Sequence, residues 1–167
     1  GNSSCKGCPI DTYSTSLAAD SQDVCLSCPN FTVSYTASVS VYDCVCDKGY
    51  NGSDGGNCTQ CPPGTFKELR GNQSCDSCPV DTFLNFSGSS SVSDCFPCDP
   101  NAQSPAGSFV AEACQCNMGW TGLDGQPCVG CLAGTFKNVT GDAPCVDCEA
   151  GKYSETPSSG SYDDCLL

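Results

Sequence analysis

Apolar positions come in short bursts along this chain and nowhere settle into a long period. Segments such as Phe31 to Val45 hold β-branched and aromatic residues, but each is bounded within a few positions by Gly, Pro, Asn or Ser. That is the punctuation of short strands joined by turns. No window sustains a 3.6-residue apolar period, so helix is predicted to be limited to a turn or two. No run approaches the ~20 consecutive apolar residues that a membrane-crossing helix needs, and no direct membrane insertion is expected of this segment. No basic-then-apolar leader precedes Gly1, so a signal peptide or anchor is expected only outside these residues.

Cysteine supplies 19 of the 167 residues, and its placement is the strongest pattern in the chain. Cys5, Cys8, Cys25, Cys28, Cys44, Cys46, Cys58 and Cys61 recur 70 residues later as Cys75, Cys78, Cys95, Cys98, Cys114, Cys116, Cys128 and Cys131. A third pass gives Cys145, Cys148 and Cys165. Every cysteine keeps the register without insertion or deletion, which marks a tandem repeat. Other residues follow it: Gly64-Thr65-Phe66-Lys67 matches Gly134-Thr135-Phe136-Lys137, Asp11-Thr12-Tyr13 matches Asp81-Thr82-Phe83, and Gly49-Tyr50 with Gly52 matches Gly119-Trp120 with Gly122. The glycines suggest turns that need positive φ. An aromatic stands five residues after a cysteine at Tyr13, Phe66, Phe83, Phe136 and Tyr153. These rings are expected to lie against disulfides as miniature cores, with a ligand-binding aromatic row as the other reading.

Composition changes the picture in one respect, since the 38% hydrophobic fraction counts cysteine. Without it about 27% remains, so no large apolar core is available. Small units of this kind are held by covalent cross-links, which persist only in oxidising compartments. An extracellular or cell-surface (secreted) location follows. The net charge of −13, with 19 acidic residues, six basic ones and no histidine, opposes nucleic acid and anionic membrane. Seven of the nine asparagines open an Asn-x-Ser/Thr sequon: Asn2, Asn30, Asn51, Asn57, Asn72, Asn85 and Asn138. Chance would give about two, so N-linked glycans are expected partners. Asn57 is the weakest site, because its sequon encloses Cys58.

Two module types resemble known extracellular families. The segment from Cys61 to Cys98, CPPGTFKELRGNQSCDSCPVDTFLNFSGSSSVSDCFPC, resembles the cysteine-rich ephrin-receptor-like module, itself similar to tumour necrosis factor receptor repeats; residues 131–167 and 5–28 share the pattern. Between them, CVCDKGYNGSDGGNC (44–58) and CQCNMGWTGLDGQPC (114–128) resemble the second half of an EGF-like domain. Too few cysteines precede each CxC for a full EGF domain, and the acidic sequence of calcium-type EGF domains is missing. The resemblance implies a small disulfide-rich fold, an elongated tandem array of short β-hairpin loops with little or no helix. The implied modules are ephrin-receptor-like at 1–27, 61–97 and 131–167, and EGF-like at 28–60 and 98–130.

The resemblance also favours sequential over crossed pairing: Cys8–Cys25, Cys28–Cys44, Cys46–Cys58, Cys61–Cys75, Cys78–Cys95, Cys98–Cys114, Cys116–Cys128, Cys131–Cys145 and Cys148–Cys165. Spacing alone does not determine connectivity. Cys5 would then pair upstream of Gly1, a free thiol or an interchain bridge being the competing readings. A further cysteine is expected directly after Leu167.

Catalytic and metal chemistry find little support. CxxC occurs at Cys5/Cys8, Cys25/Cys28, Cys58/Cys61, Cys75/Cys78, Cys95/Cys98, Cys128/Cys131 and Cys145/Cys148, a motif that serves zinc sites or redox dithiols in other settings. Here the βαβ context of a redox motif is lacking. Without histidine the commonest general base is missing, and neither an enzyme nor a cofactor is expected. Asp43, Asp94 and Asp164 recur near the cysteines and are read as serving the repeat. Asp54 and Asp124, in SDGG and LDGQ, are read as turn formers, with weak calcium binding as the alternative. Two function classes fit. One is a structural glycoprotein forming or coating an extracellular filament, a mastigoneme-like surface appendage or a matrix, through self-association or other extracellular proteins. The other is the stalk or ligand-binding ectodomain of a cell-surface receptor. The sequons spread along the repeat favour the first.

Overall fold

A turn that starts on the residue after a cysteine and runs into a two-residue strand is the recurring unit of the computed structural model, which describes residues 7–16 and 21–167. The hydroxyls of Thr12, Thr32, Thr65, Thr82 and Thr135 each donate to the carbonyl three residues back, at 2.6–2.8 Å. The residue before each threonine takes the left-handed conformation: Asp11, Phe31, Gly64, Asp81 and Gly134, with φ between 61° and 84°. Glycine does so at no steric cost and aspartate tolerates it. Phe31 is a bulky exception, and its ring is stacked on Tyr50 with centroids 4.5 Å apart.

The chain divides into two compact units, Gly1–Asp76 with Ser87–Asp94 and Ser77–Phe86 with Cys95–Leu167. In chain order the strands are β1 (Thr12–Tyr13), β2 (Leu26–Ser27), β3 (Thr32–Val33), β4 (Val45–Cys46), β5 (Tyr50–Asn51), β6 (Thr59–Gln60), β7 (Thr65–Phe66), β8 (Asp76–Ser77), β9 (Thr82–Phe83), β10 (Phe96–Pro97), β11 (Ala102–Gln103), β12 (Gln115–Cys116), β13 (Trp120–Thr121), β14 (Val129–Gly130), β15 (Thr135–Phe136) and β16 (Val146–Asp147). Each odd strand pairs with the next even one in a two-stranded sheet. Isolated hairpins of this size are not stable in water, so something other than the ladder must hold them.

Helix is limited, among the described residues, to single 3-10 turns at Gln22–Val24, Val41–Asp43, Val92–Asp94, Ala111–Ala113 and Tyr162–Asp164, each directly preceding a cysteine. Their caps explain the recurring aspartates. The Asp43 carboxylate accepts from the backbone N–H groups of Val39 (2.8 Å) and Ser40 (2.9 Å), and Asp164 accepts from that of Ser161, both in capping boxes. Asp94 accepts from the Ser89 hydroxyl at 2.7 Å. Removing one such cap costs about 1 kcal/mol. Thermal unfolding followed by circular dichroism should therefore show Asp43→Ala destabilised by roughly that amount.

Among the described residues the interior is mostly cysteine, with Leu84, Ala102 and Phe136 the other buried hydrophobic residues. In the second unit Ala102, Cys114, Cys116 and Cys128 cluster together, with Phe83, Cys98 and Trp120 packed against them. The aromatics expected as miniature cores divide by position. Phe83 packs on this cluster and Phe136 is buried edge-on against Tyr162, with centroids 5.7 Å apart. Tyr13 and Phe66 are half-buried. Tyr153 departs from the expectation: it is exposed, and its link is a pair of backbone hydrogen bonds with Leu166.

Candidate functional site

The nine disulfides in the structure join Cys8–Cys25, Cys28–Cys44, Cys46–Cys58, Cys61–Cys75, Cys78–Cys95, Cys98–Cys114, Cys116–Cys128, Cys131–Cys145 and Cys148–Cys165. Sequence separations run from 12 to 17 and Cα distances from 5.6 to 5.9 Å, as disulfide geometry requires. Each bridge closes its own loop without enclosing another. Cys5, with its proposed upstream partner, lies outside the described residues, as does Asn2.

Backbone hydrogen bonds then tie each loop to the following one. In the first unit, Ala37 N–H donates to the Cys8 carbonyl (2.7 Å) and Gly88 N–H to that of Cys61 (2.8 Å); in the second, Gly107 donates to Cys78 (2.9 Å) and Ser158 to Cys131 (2.7 Å). The aromatic positions take part through their backbones, since Tyr13 bridges Ser38, Phe66 bridges Ser89, Phe83 bridges Ser108 and Phe136 bridges Ser159, all in parallel.

A lysine clamp occurs twice, 70 residues apart. Lys67 is 1% exposed, and its ammonium donates to the carbonyls of Tyr50 (2.7 Å) and Gly71. Seventy residues on, Lys137 is also 1% exposed and donates to Trp120 (2.6 Å) and Gly141. The surrounding backbone repeats as well. Gly49 N–H donates to Lys67 O and Gly119 N–H to Lys137 O, while Gly71 and Gly141 donate to Cys46 and Cys116. Glycine is required at positions 49 and 119, where φ is positive and an added Cβ would lie 2.3 Å from Gly88 O and 2.1 Å from Ser158 O.

Burial pushes both ammonium groups below the usual lysine value of 10.5, partly offset by Asp54 and Asp47 around Lys67 and by Asp124 and Asp142 around Lys137. Asp54 and Asp124 each keep a buried carboxylate oxygen without a hydrogen-bond partner. Those turns therefore already hold a fixed protein cation within electrostatic range, which works against a second cation there.

The six sequon asparagines within the described residues, Asn30, Asn51, Asn57, Asn72, Asn85 and Asn138, are all exposed. Among the described residues, no group of three His, Cys, Asp or Glu side chains is placed to hold a metal ion, and no helix is long and apolar enough to cross a membrane. Two shallow hollows open on the second unit. One, of about 280 Å³, is lined by Phe83, Cys98 and Pro127 among others; the second, of about 360 Å³, by Val80, Gln103 and Pro105 among others. Neither converges charged groups on a common point.

Serial loops, each closed by its own bridge and bonded to the next, define a cysteine-rich tandem array of the extracellular type. A family model described as tyrosine-protein kinase ephrin type A/B receptor-like matches residues 49–95. Over 89 residues the chain is 35% identical to the Sushi, von Willebrand factor type A, EGF and pentraxin domain-containing protein 1 of Rattus norvegicus, an alignment covering 52% of this chain and 2% of that protein. The matched 49–95 segment contains the first lysine clamp complete, from Gly49 through Lys67 to Gly71.

The clamp is not among the candidates that the residue pattern points to. Its signal was present, because only six basic residues occur in the chain and two of them, Lys67 and Lys137, keep the 70-residue register.

Proposed function

We propose that this chain is a structural glycoprotein segment that forms or coats an extracellular filament, a mastigoneme-like surface appendage or a matrix, and that it carries no catalytic centre. The supporting observation is recurrence of the loop-to-loop bonding itself: the contacts from Gly49 to Lys67 return from Gly119 to Lys137 with the same donors and acceptors. A unit whose connection to its successor is repeated can be extended by adding units, as in other quasi-one-dimensional arrays. Glycans on exposed sequons would sheathe such an array outside the cell and leave association to other units or other extracellular proteins. A receptor stalk or ligand-binding ectodomain is the second reading, favoured by the ephrin-receptor-like match at 49–95.

Native material treated with glycosidase tests the sheath. Intact mass is expected to fall by several glycans, with Asn30, Asn51, Asn72, Asn85 and Asn138 as the main sites. Electron microscopy of the same material distinguishes the readings: filaments or a surface coat built from the chain support the structural role, and isolated membrane-anchored copies contradict it.

A further inference from the structure

We infer that the first sugar of a glycan on Asn85 packs against the exposed rings of Phe86 and Phe96, a seat that the matching sequon at Asn138 lacks. This rests on the reading that the sequons carry glycans. Phe83 and Phe96 are register partners across the β9–β10 hairpin, with ring centroids 5.7 Å apart. Phe86 lies edge-on to Phe96 at 6.5 Å. Leu84 is fully buried, whereas Phe86 and Phe96 remain 43% and 47% exposed and Asn85 is exposed between them. Leu84 is directed inward and Phe83 packs on the cysteine cluster, so the exposed apolar surface beside Asn85 is that of Phe86 and Phe96.

At Asn138 the spacing is the same, with Phe136 two residues before the asparagine. There the ring is 9% exposed and covered by Tyr162. The following residue is Val139, not an aromatic. Equal sequence spacing therefore leads to an open apolar seat at one sequon and a closed one at the other.

The occupant is set by chemistry and tether. On modification the Asn85 amide nitrogen loses a proton and bonds the anomeric carbon of an N-acetylglucosamine, while the pyrophosphate that activated the sugar departs. The ring of that sugar carries its substituents equatorially, leaving a face of axial C–H groups, weakly positive and apolar. Such a face complements the negative face of an aromatic ring. Covalent attachment one residue from Phe86 makes the contact intramolecular and removes the cost of association. A protein partner would have to displace the glycan to reach the same rings.

Amide hydrogen exchange, read by mass spectrometry on protein secreted from a glycosylating cell, tests this. Six forms are compared: fully glycosylated, trimmed enzymatically to one N-acetylglucosamine, Asn85→Gln, Phe86→Ala, Phe86→Ala combined with Asn85→Gln, and Asn138→Gln. Protection of the β9–β10 hairpin is expected to be about two- to tenfold higher in the first two forms than in Asn85→Gln. Phe86→Ala should shrink that difference, and Asn138→Gln should leave the β15–β16 hairpin within about twofold of the parent. A glycan present at Asn85 by mass with no difference in protection overturns the packing and leaves the sheath reading standing. A native mass showing Asn85 unmodified while other sequons carry glycans overturns the seat at this site. Absence of glycan from every sequon overturns both.

Discussion

A thiol reductant is expected to abolish the ordered fold of this chain, while a metal chelator leaves it unchanged. In the chain-entropy model each loop of the observed size contributes about 3 kcal/mol to stability, and nine such bridges act in series. Two-residue strands and single 3-10 turns are too short to survive alone. Among the described residues, buried hydrophobic side chains other than cysteine are limited to Leu84, Ala102 and Phe136, so little apolar burial remains once the bridges open. Chelator should have no comparable effect, since among the described residues no cluster is placed to hold an ion. Circular dichroism and small-angle scattering under the two treatments check this. Loss of structure with chelator alone, with reductant harmless, would make a bound ion the organising element.

Lys67→Met and Lys137→Met are expected to loosen the two clamps by about 2–6 kcal/mol each, because two partly buried carbonyls lose their donor and each unmet acceptor costs about 1–3 kcal/mol. Methionine keeps much of the side-chain volume, so the loss reports hydrogen bonding more than packing. The bridges on either side stay closed, and the effect should appear as faster amide exchange at Gly49 and Gly71, or at Gly119 and Gly141. Arg70→Ala, which removes an exposed pair with Asp47, should leave the same amides nearly unchanged. The pH dependence has a definite sign. Burial lowers the native lysine pKa below 10.5, so between the lowered value and 10.5 the unfolded chain holds more protons than the native one. The lysines' contribution to stability is lowest below the native pKa and rises with pH across that window. Exchange rates measured across it should show the rise in the parent and its loss in the methionine variants.

Much of the fold was legible because cysteine, glycine and turn residues act locally. The 70-residue register marks the loops, and Gly64 and Gly134 mark left-handed turn positions whose φ the structure bears out, a conformation that Asp11 and Asp81 share. The recurring Asp43 and Asp164 were read as serving the repeat, and they do so as caps. Phe31 was not legible as a left-handed residue, since nothing local permits it and its ring is stacked on Tyr50 from the next hairpin. The lysine clamps were missed for a related reason. A lysine in a polar, acidic chain ordinarily extends into solvent, and its burial depends on one carbonyl from the preceding loop and one from its own loop. Tyr153 shows the converse, a ring in register whose environment leaves it exposed. Whether a sequon's neighbouring aromatics are open, as at Asn85, or covered, as at Asn138, likewise depends on residues distant in sequence, Phe96 and Tyr162.

Serial closure of each loop by its own bridge is the central claim, because the clamps, the caps and the proposed extension by added units all presuppose it. Non-reducing peptide mapping of native protein, with thiols blocked before digestion, tests it most directly. The expected result is nine cross-linked pairs of neighbouring cysteines, from Cys8–Cys25 to Cys148–Cys165. Recovery of crossed pairs such as Cys28–Cys46 with Cys44–Cys58, in the manner of a full EGF domain, would contradict it.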